Sequence, residues 1–284
     1  MPELPEVETV VRSLFPCLTG QKIADYQLID AKVWRGGNLF FLGNLKGKVI
    51  TKIWRRGKLA LIQVATGETL IFHLKMTGRL IWVPKASPRP KHTRFILNFQ
   101  EVEEELRFVD PRRFGFIACR RSEEVEKETA PELAGLGPDA LTVSWEEFKK
   151  IFGQRTARLK SLLLDQRLIA GIGNIYADEI LFRARLNPLL PANYLSEKEW
   201  QLLWQKIKET LQEAIKYRGT SIRDYRDGAN QKGNFQDRLL VYGREQQACP
   251  VCGQKIARSR IGGRSTYFCP KCQKLLNQKK SRNK

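Results

Sequence analysis

No apolar run in this 284-residue chain approaches the roughly 18 residues that a membrane-spanning helix requires, so no membrane partner is expected. The start of the chain also lacks the basic and apolar stretches of a secretory signal, because Glu3, Glu6 and Glu8 occupy those positions. We therefore expect a cytoplasmic protein. Structural disulfides are rare in that compartment, so the six cysteines need another explanation. The sequence shows no internal repeat.

Acidic residues are few relative to basic ones. The chain has 50 Lys and Arg against 30 Asp and Glu, a net charge of +20, and half of that excess lies in residues 244–284. Such an excess favours a polyanionic partner, because it raises the local potential and releases counterions condensed on nucleic acid. A ribosome-associated or simply soluble basic protein remains an alternative. The length suits two domains, or two domains plus a small module, and 42% hydrophobic residues are enough to bury a core. Nothing in the composition suggests disorder over most of the length.

The N-terminal half combines one helical segment with many short strands. Apolar residues between Val7 and Leu18 follow helical spacing, and Gly20 is a fitting helix stop. From about residue 21 the pattern becomes short, β-branched and aromatic, with turn residues between the segments. These segments are KVITKIW, KLALIQV, TLIFHL, TRFILNF, ELRFV and FGFIAC. The pattern predicts an antiparallel sandwich or barrel.

The next part of the chain is helical. Ser144 and Ser196 each begin a Ser-x-x-Glu capping box, and the second box opens a long amphipathic helix. Residues 158–188 predict two helices joined by a turn that contains glycine. Residues 132–139 have the composition of a linker. Residues 219–238 are predicted to be too polar and glycine-rich to pack, and so to form a mobile loop.

The cysteines near the C-terminus form two C-x2-C pairs separated by sixteen residues: Cys249 with Cys252, and Cys269 with Cys272. Each pair can chelate one ion from a tight turn, and the segment between them can form a hairpin. Four thiolates complete a closed tetrahedral site, so the spacing predicts a structural zinc ion rather than a catalytic one. A redox pair or free thiols are the alternatives. Cys17 and Cys119 stand alone and are expected to be small core residues.

The start of the chain carries a candidate nucleophile. Removal of Met1 exposes the secondary amine of Pro2, and an α-amine is more often the free base at neutral pH than a lysine side chain is. Reaction of this amine with a sugar C1′ gives an iminium ion, which favours elimination of the 3′ phosphate. Glu3 can act as the acid or base, and Glu6 can hold the helix start. Proline and glutamate are also ordinary residues at helix starts, which is the simpler interpretation.

A resemblance strengthens the catalytic interpretation. The chain resembles the bacterial formamidopyrimidine-DNA glycosylase family in strings that follow one another in order over most of its length. They are PELPEVETVVRSL at 2–14, RRGKLA at 55–60, HLKMTGRL at 73–80, DPRRFG at 110–115, LLLDQRLIAGIGNIYADEIL at 162–181, GTSIRDY at 219–225 and GRSTYFC at 263–269. Thr77, after Met76, is at a position where the family varies.

The resemblance implies an α+β multidomain fold. Its parts are an N-terminal antiparallel β-sandwich with an N-terminal helix at 1–131, a linker at 132–138, a helix–two-turn–helix domain at 139–238 with a lesion-capping loop at 219–238, and a zinc-binding β-hairpin with a basic tail at 239–284. It also implies a monomeric DNA glycosylase and abasic-site lyase of base excision repair. The expected partner is double-stranded DNA that carries oxidised purines or abasic sites, and the expected cofactor is one structural Zn²⁺, with no organic cofactor.

The resemblance also assigns roles to residues. Pro2 matches the Schiff-base nucleophile, Glu3 its acid/base partner and Glu6 a supporting carboxylate. Lys58 matches the lysine of β-elimination, and Arg264 the zinc-hairpin arginine of δ-elimination. The matched DNA-contact positions are His73, Met76, His92, Arg112, Phe114, Arg155 and Asn174. The matched lesion-recognition positions are Ser221, Ile222, Arg223, Asp224 and Tyr225.

Residue type alone gives several of these positions ordinary roles. Met76 and Phe114 would be core residues on strands, and His73 a structural histidine. Lys58 would be a surface lysine at a strand end, and Asn174 a helix N-cap, although an N-cap can also bind phosphate.

Three other functions remain open. An endonuclease VIII-like glycosylase shares the fold and Pro2 but prefers oxidised pyrimidines; it typically opens PEGPE, whereas this chain opens PELPE and carries the RDY segment. A catalytically dead zinc DNA-binding protein is disfavoured by intact Pro2, Glu3 and Lys58. An RNA or ribosome binder is disfavoured because the sequence has no recognisable RNA-binding signature.

Overall fold

The computed structural model describes residues 2–36, 43, 45–222 and 225–275, and the chain divides into two compact units. The first unit contains Met1–Gly135 and Ala214–Gln236, and the second contains Leu136–Glu213 and Asp237–Lys284. Arg223, Asp224 and the basic tail from residue 276 lie outside the described residues, and so do the predictions made for them.

The first unit opens with helix α1, Leu4–Leu18, and continues with eight strands. The strands are β1 (Ile23–Leu28), β2 (Ile50–Arg56), β3 (Leu59–Val64), β4 (Glu68–His73), β5 (Arg79–Pro84), β6 (Thr93–Phe99), β7 (Glu104–Val109) and β8 (Phe116–Arg121), and a short helix, α2 (Ser122–Glu126), follows. They form two four-stranded antiparallel sheets, with orders β1-β6-β7-β5 and β2-β3-β4-β8. The predicted antiparallel β-sandwich is confirmed.

Aromatic and aliphatic side chains from both sheets fill the interior of the sandwich. The ring of Phe72 on β4 lies 6.2 Å from that of Phe95 on β6 and 6.0 Å from that of Phe108 on β7. Helix α1 adds Val7, Val10 and Leu14 to the same apolar cluster, as its periodicity predicted. The helix ends at Leu18, and Gly20 adopts the left-handed conformation with φ +86°.

Helices dominate the second unit. They are α3 (Trp145–Phe152), α4 (Leu159–Leu164), α5 (Asn174–Arg183) and α6 (Glu197–Lys216), and the division between the units falls within α6. The Oγ of Ser144 accepts a hydrogen bond from Glu147 N at 3.1 Å, so the first predicted cap is present. At the second, Glu199 accepts a bond from Ser196 N at 2.8 Å. The C-terminal hairpin pairs β9 (Ala257–Ile261) with β10 (Arg264–Phe268) through a Gly-Gly turn with positive φ.

One prediction about residues 219–238 is wrong. The segment packs: Tyr225 is 8% exposed, and both Asp227 and Phe235 are fully buried. The segment's polar groups find partners within the segment and in the residues that flank it. The carboxylate of Asp227, for example, pairs with Arg218 and accepts hydrogen bonds from two backbone N–H groups. Composition alone did not reveal that these groups satisfy one another.

Across the described ranges 2–36, 45–222 and 225–275, no helix combines the length and apolar character that crossing a membrane requires.

Candidate active site and nucleic-acid interface

The start of helix α1 places Pro2 and two carboxylates together in the interior of the first unit. Pro2 is buried, and Glu3 and Glu6 are only 2% and 1% exposed. Glu3 is the N-cap, and it forms a reciprocal capping box with Glu6, whose Oε2 accepts from Glu3 N at 2.8 Å. The backbone beside Pro2 is therefore fixed by hydrogen bonds at both ends of the first helical turn.

Glu6 also holds the segment that follows helix α6. Its Oε1 accepts a bond from Thr220 N at 2.7 Å, and its backbone oxygen accepts one from the Tyr225 hydroxyl at 3.2 Å. Gly219 has φ +76°, and a Cβ there would lie 2.7 Å from Glu6 Oε1. The close approach therefore needs glycine. Burial and the nearby Glu6 charge raise the pKa of Tyr225 well above its usual value.

Lys58 lies in the turn between β2 and β3 and is 9% exposed, so it is not the surface lysine that its residue type suggests. The neighbouring Arg55 connects this turn to helix α1. Its Nε donates to Glu8 Oε2 at 2.8 Å, and its guanidinium also donates to the backbone oxygen of Gly57 at 2.9 Å. Sequence analysis gave no role to Arg55. It fixes the turn that carries Lys58 against the helix that begins beside Pro2.

His73, at the end of β4, is neutral at physiological pH. Burial, followed by the positive charges of Lys75 and Lys58, lowers the pKa of His73 to about 3. Its Nδ1 accepts a bond from Lys75 N at 3.0 Å, which assigns the ring proton to Nε2. A neutral ring with Nε2–H still offers a donor to a phosphate oxygen.

Met76, Arg112 and Phe114 lie on two turns, and none of them is a core residue. Met76 is 42% exposed on the β4–β5 turn, and Phe114 is 47% exposed on the β7–β8 loop. The Arg112 guanidinium lies 4.5 Å from the centroid of the Phe114 ring. The ordinary assignment of Met76 and Phe114 to the core is therefore wrong.

Two other DNA-contact candidates lie in different units. In the first unit, His92 ends the loop before β6, and its Nδ1 lies 3.4 Å from a guanidinium nitrogen of Arg94. In the second, Arg155 is exposed after α3, and its Nε donates to the backbone oxygen of Ile151 at 3.2 Å.

Three of the lesion-recognition candidates lie in the described part of residues 221–225. Ser221 Oγ donates to Tyr225 O at 2.9 Å and accepts from Gly233 N at 2.9 Å. The side chains of Ser221 and Tyr225 are thus used within the first unit. Ile222, by contrast, is 51% exposed. Arg223 and Asp224 lie outside the described residues.

In the second unit, Asn174 and Arg264 are joined through the zinc hairpin. Asn174 is the first residue of α5, and the N-cap is Gly173, so Asn174 does not itself cap the helix. Its Nδ2 donates to the backbone oxygen of Ser265 at 3.0 Å, next to the exposed Arg264 at the start of β10. The structure thus brings these two predicted phosphate contacts together.

The four predicted zinc ligands converge. All four sulfur atoms of Cys249, Cys252, Cys269 and Cys272 lie within 4.8 Å of one another. Two of the distances are 3.9 Å and 3.5 Å, close to the roughly 3.8 Å expected between thiolates around a tetrahedral zinc ion with Zn–S near 2.3 Å. The cluster fits one structural zinc ion.

Comparison with known proteins identifies the whole chain. The N-terminal domain of formamidopyrimidine-DNA glycosylase matches residues 1–117, its H2TH domain matches residues 135–226, and the zinc finger found in FPG and IleRS matches residues 246–275. The chain belongs to the formamidopyrimidine-DNA glycosylase family. The predicted family, fold, structural zinc and enzyme class, a base-excision repair glycosylase with lyase activity, are thereby confirmed.

Several relatives show how complete the match is. The chain is 45% identical to the formamidopyrimidine-DNA glycosylase of Pelotomaculum thermopropionicum, over 97% of this chain and 100% of that one. The chain is also 45% identical to the formamidopyrimidine-DNA glycosylase of Moorella thermoacetica, over 92% of this chain and 95% of that one. The structure of Lactococcus lactis Fpg in complex with DNA containing an abasic site superimposes with a TM-score of 0.89 at 35% identity, over 96% of this chain and 100% of that one.

Sequence analysis of this glycosylase missed a buried ion pair that holds the zinc hairpin. Lys160 on α4 and Asp178 on α5 are fully buried, and Nζ lies 2.7 Å from Oδ1. Lys160 also donates to Ser265 O at 2.9 Å and to Thr266 Oγ1 at 2.8 Å. Desolvation by burial raises the pKa of Asp178 to about 7, and the charge of Lys160 opposes that shift. The pair fixes the strand that follows Arg264 against both helices.

Other buried groups hold the zinc module to the helices. The carboxylate of Glu179 accepts bonds from the backbone N–H groups of Leu240, Val241 and Tyr242 at 2.9–3.0 Å. Burial raises the pKa of Glu179, and these three donors oppose the shift. Gln273 Oε1 accepts from Cys269 N at 2.9 Å, and Gln273 Nε2 donates to the backbone oxygen of Leu186, after α5, at 2.8 Å. The sequence offered one signal for these buried groups, namely charged residues at helix positions that are otherwise apolar. Their partners could not be inferred, because they lie far away in the sequence.

We expect Lys160→Met to lower the free energy of unfolding by about 3 to 5 kcal/mol, because it leaves the Asp178 carboxylate buried without its cation. Adding Asp178→Leu should recover much of the loss. Urea unfolding followed by fluorescence measures both effects. The control Lys149→Met breaks an exposed pair with Glu197 and should cost about 0.5 kcal/mol or less. Equal stability of the two single variants would contradict the prediction.

Proposed function

We propose that this enzyme removes oxidised purines from double-stranded DNA through a covalent intermediate on Pro2 and then nicks the strand by β,δ-elimination. The observation that carries the proposal is the buried start of α1, where Pro2 precedes two carboxylates held by a reciprocal capping box. A secondary amine fixed beside carboxyl groups has the chemistry that attack on a sugar carbon requires. Solved structures show Lactococcus lactis Fpg in complex with DNA containing an abasic site, and a mutant of that protein in complex with DNA containing Fapy-dG.

In the proposed reaction, the lone pair of the Pro2 nitrogen attacks C1′, and the C1′–N bond to the damaged base breaks. The base leaves with the bonding electrons and takes up the proton that the Pro2 nitrogen loses, the sugar ring opens, and the nitrogen becomes an iminium ion. Glu3 donates the proton that the ring oxygen needs. The Glu3 carboxylate, having given up its proton, can then take one from C2′, and the electrons of that C–H bond expel the 3′ phosphate. A second elimination expels the 5′ phosphate. We assign Glu6 to the support of Pro2 and Glu3, since its own oxygens are already hydrogen-bonded.

Phosphate binding is assigned to two sets of basic and polar groups. In the first unit, Lys58 and neutral His73 lie beside each other at the ends of β3 and β4, where Leu59 pairs with His73. In the second, Asn174 and Arg264 converge at Ser265, and the N-terminus of α5 adds its dipole. We further assign His92 and Arg155 to DNA contacts and Arg264 to the δ step.

The wedge is assigned to the exposed Met76 and Phe114, which would replace the stacking of the flipped nucleotide. Arg112 beside the Phe114 ring can donate to the orphaned cytosine. Lesion recognition is assigned to residues 221–225. Because the side chains of Ser221 and Tyr225 already have partners, backbone groups are the better candidates to detect the N7–H donor that separates 8-oxoguanine from guanine.

The zinc ion would be held by Cys249, Cys252, Cys269 and Cys272, and its contribution is to fold the hairpin that carries Arg264. The domain boundaries at residues 131, 138 and 238 remain proposals, as do a monomeric state and a cytoplasmic, nucleoid-associated location.

A panel of duplexes tests the preference for purines. We expect single-turnover excision of 8-oxoguanine and formamidopyrimidines opposite cytosine to exceed excision of thymine glycol. The endonuclease VIII-like alternative requires the reverse order. Undamaged duplex of the same sequence is the control, and a faster reaction on thymine glycol would reject the purine assignment.

A further inference from the structure

One buried carboxylate in the first unit connects the turns that carry the proposed wedge. Asp110, after β7, is fully buried. Its Oδ1 accepts from Thr77 Oγ1 at 2.5 Å and from Arg112 N at 3.2 Å, and its Oδ2 accepts from Gly115 N at 2.7 Å. A carboxylate with no solvent contact thus receives three donors from two separate segments.

The backbone of Asp110 connects a third segment. Asp110 N donates to His92 O at 3.0 Å, and Arg94 Nε donates to Asp110 O at 2.9 Å. Arg94 is in turn paired with Asp30 at 3.1 Å. The loop that ends at His92 is therefore hydrogen-bonded to the same residue as the Met76 turn and the Arg112–Phe114 loop, the two segments that carry the proposed wedge.

Each bonded residue is next to, or identical with, a proposed DNA contact. Thr77 follows Met76, Gly115 follows Phe114, and Arg112 is itself a contact. A turn that displays a half-exposed apolar side chain gains little packing of its own, so hydrogen bonds behind it must define its position. Asp110 supplies those bonds.

The backbone of both turns supports this interpretation. Lys75 and Arg113 have φ values of 48° and 58°, a conformation that costs non-glycine residues free energy and persists only where surrounding contacts enforce it. At Gly115, a Cβ would lie 2.8 Å from His73 O and 3.0 Å from Asp110 Oδ2. The loop therefore approaches the carboxylate and β4 too closely for any side chain.

We propose that Asp110 is a positioning residue that locks the Met76 turn and the Arg112–Phe114 loop into one preorganised wedge, with the Thr77 hydroxyl as the bond that joins the two turns. The inference rests on the proposed function. The negative charge of a carboxylate beside a DNA-binding surface opposes phosphate binding, so an acidic residue here needs a compensating role, and the three hydrogen bonds that it accepts provide one. Oδ1 accepts from one donor in each segment and Oδ2 accepts from Gly115 N, so an asparagine side chain, with one acceptor oxygen, would leave one of these three donors facing its NH2 group.

Thr77→Val is the sharpest test, because it removes the bond between the turns, keeps the side-chain shape and leaves Asp110 in place. Thr77→Ser restores the hydroxyl, and Thr51→Val on β2 is a matched control at an exposed threonine. The probe is a duplex with a tetrahydrofuran abasic analogue and 2-aminopurine beside the orphaned cytosine. Its fluorescence reports wedge insertion, and it is independent of which base the enzyme excises.

We expect Thr77→Val to reduce the fluorescence change on saturating binding to about half or less, and to slow 8-oxoguanine excision about fivefold to tenfold, as expected for one lost hydrogen bond. Cleavage of a preformed abasic site in single-stranded DNA, which has no orphaned base, should fall far less. Thr77→Ser should behave like the parent protein, and Thr51→Val likewise.

Two results would overturn the inference. One is an unchanged fluorescence response in Thr77→Val. The other is an equal loss of all activities together with a lowered melting temperature. That result would show that Asp110 and Thr77 stabilise the fold and do not specifically position the wedge. Failure of the proposed function would look different, because the parent protein itself would then give no fluorescence change or no purine excision.

Discussion

A protein that keeps one extra residue ahead of Pro2 should bind damaged duplex but fail to cut it. The extension converts the secondary amine into an amide, which is not nucleophilic, and so removes the group that attacks C1′. We expect strand cleavage to fall by on the order of 10³ or more, the scale on which loss of a covalent nucleophile acts. Gel-based cleavage of an 8-oxoguanine duplex under single-turnover conditions measures the loss.

The extension can serve as its own control. If the added residues include a protease site that ends immediately before Pro2, cleavage should restore activity in the same preparation. Affinity for a tetrahydrofuran duplex should stay close to that of the parent, because the Glu6 hydrogen bonds that hold the first helical turn do not involve the nitrogen of Pro2. Full activity with the amine still blocked would contradict the mechanism.

Cys252→Ser should release zinc and weaken DNA binding by at least about tenfold. Three remaining thiolates hold zinc poorly, and so small a module depends on metal for its folding free energy. The hairpin carries Arg264 and offers Ser265 O to Asn174, so its loss would displace Arg264 and release the side chain of Asn174, the two proposed phosphate contacts of this unit. Metal analysis and fluorescence anisotropy with a tetrahydrofuran duplex measure the two effects.

The sandwich should survive this substitution, since the zinc cluster lies in the second unit and none of its four cysteines belongs to the apolar cluster of the first. Cys17→Ser is the matched control, because Cys17 is a half-buried thiol of the first unit and is not one of the four predicted zinc ligands. It should retain zinc and affinity. A Cys252→Ser protein with unchanged zinc content and unchanged binding would exclude the zinc-hairpin account.

Patterns with a local physical cause were predictable from sequence. The C-x2-C pairs predicted the zinc cluster, because chelation of a metal ion requires only that each pair of cysteines be close in sequence. The helical spacing of apolar residues and the glycine after them predicted helix α1. Strands β1 and β5 were not predicted. In β1 only Ile23 is buried, so the strand lacks the apolar alternation that marks a half-buried strand.

The supports of the site were not predictable, because their partners are remote in sequence. Lys160 bonds Ser265 across 105 positions, and Glu6 bonds Thr220 across 214. Asp110 lies in a recognised string, DPRRFG, but its bond to Thr77 spans 33 positions and depends on how two turns meet. Sequence patterns identified candidate contacts, and the structure shows which buried groups hold them.

Borohydride reduction of the enzyme on an 8-oxoguanine duplex, followed by peptide mapping of the cross-link, tests the central assignment most directly. Reduction converts the transient iminium into a stable amine, so the trapped sugar marks the attacking nitrogen. We expect the adduct on the N-terminal peptide, at the nitrogen of Pro2. An adduct on Lys58 or any other lysine, or active enzyme that retains Met1, would contradict the account.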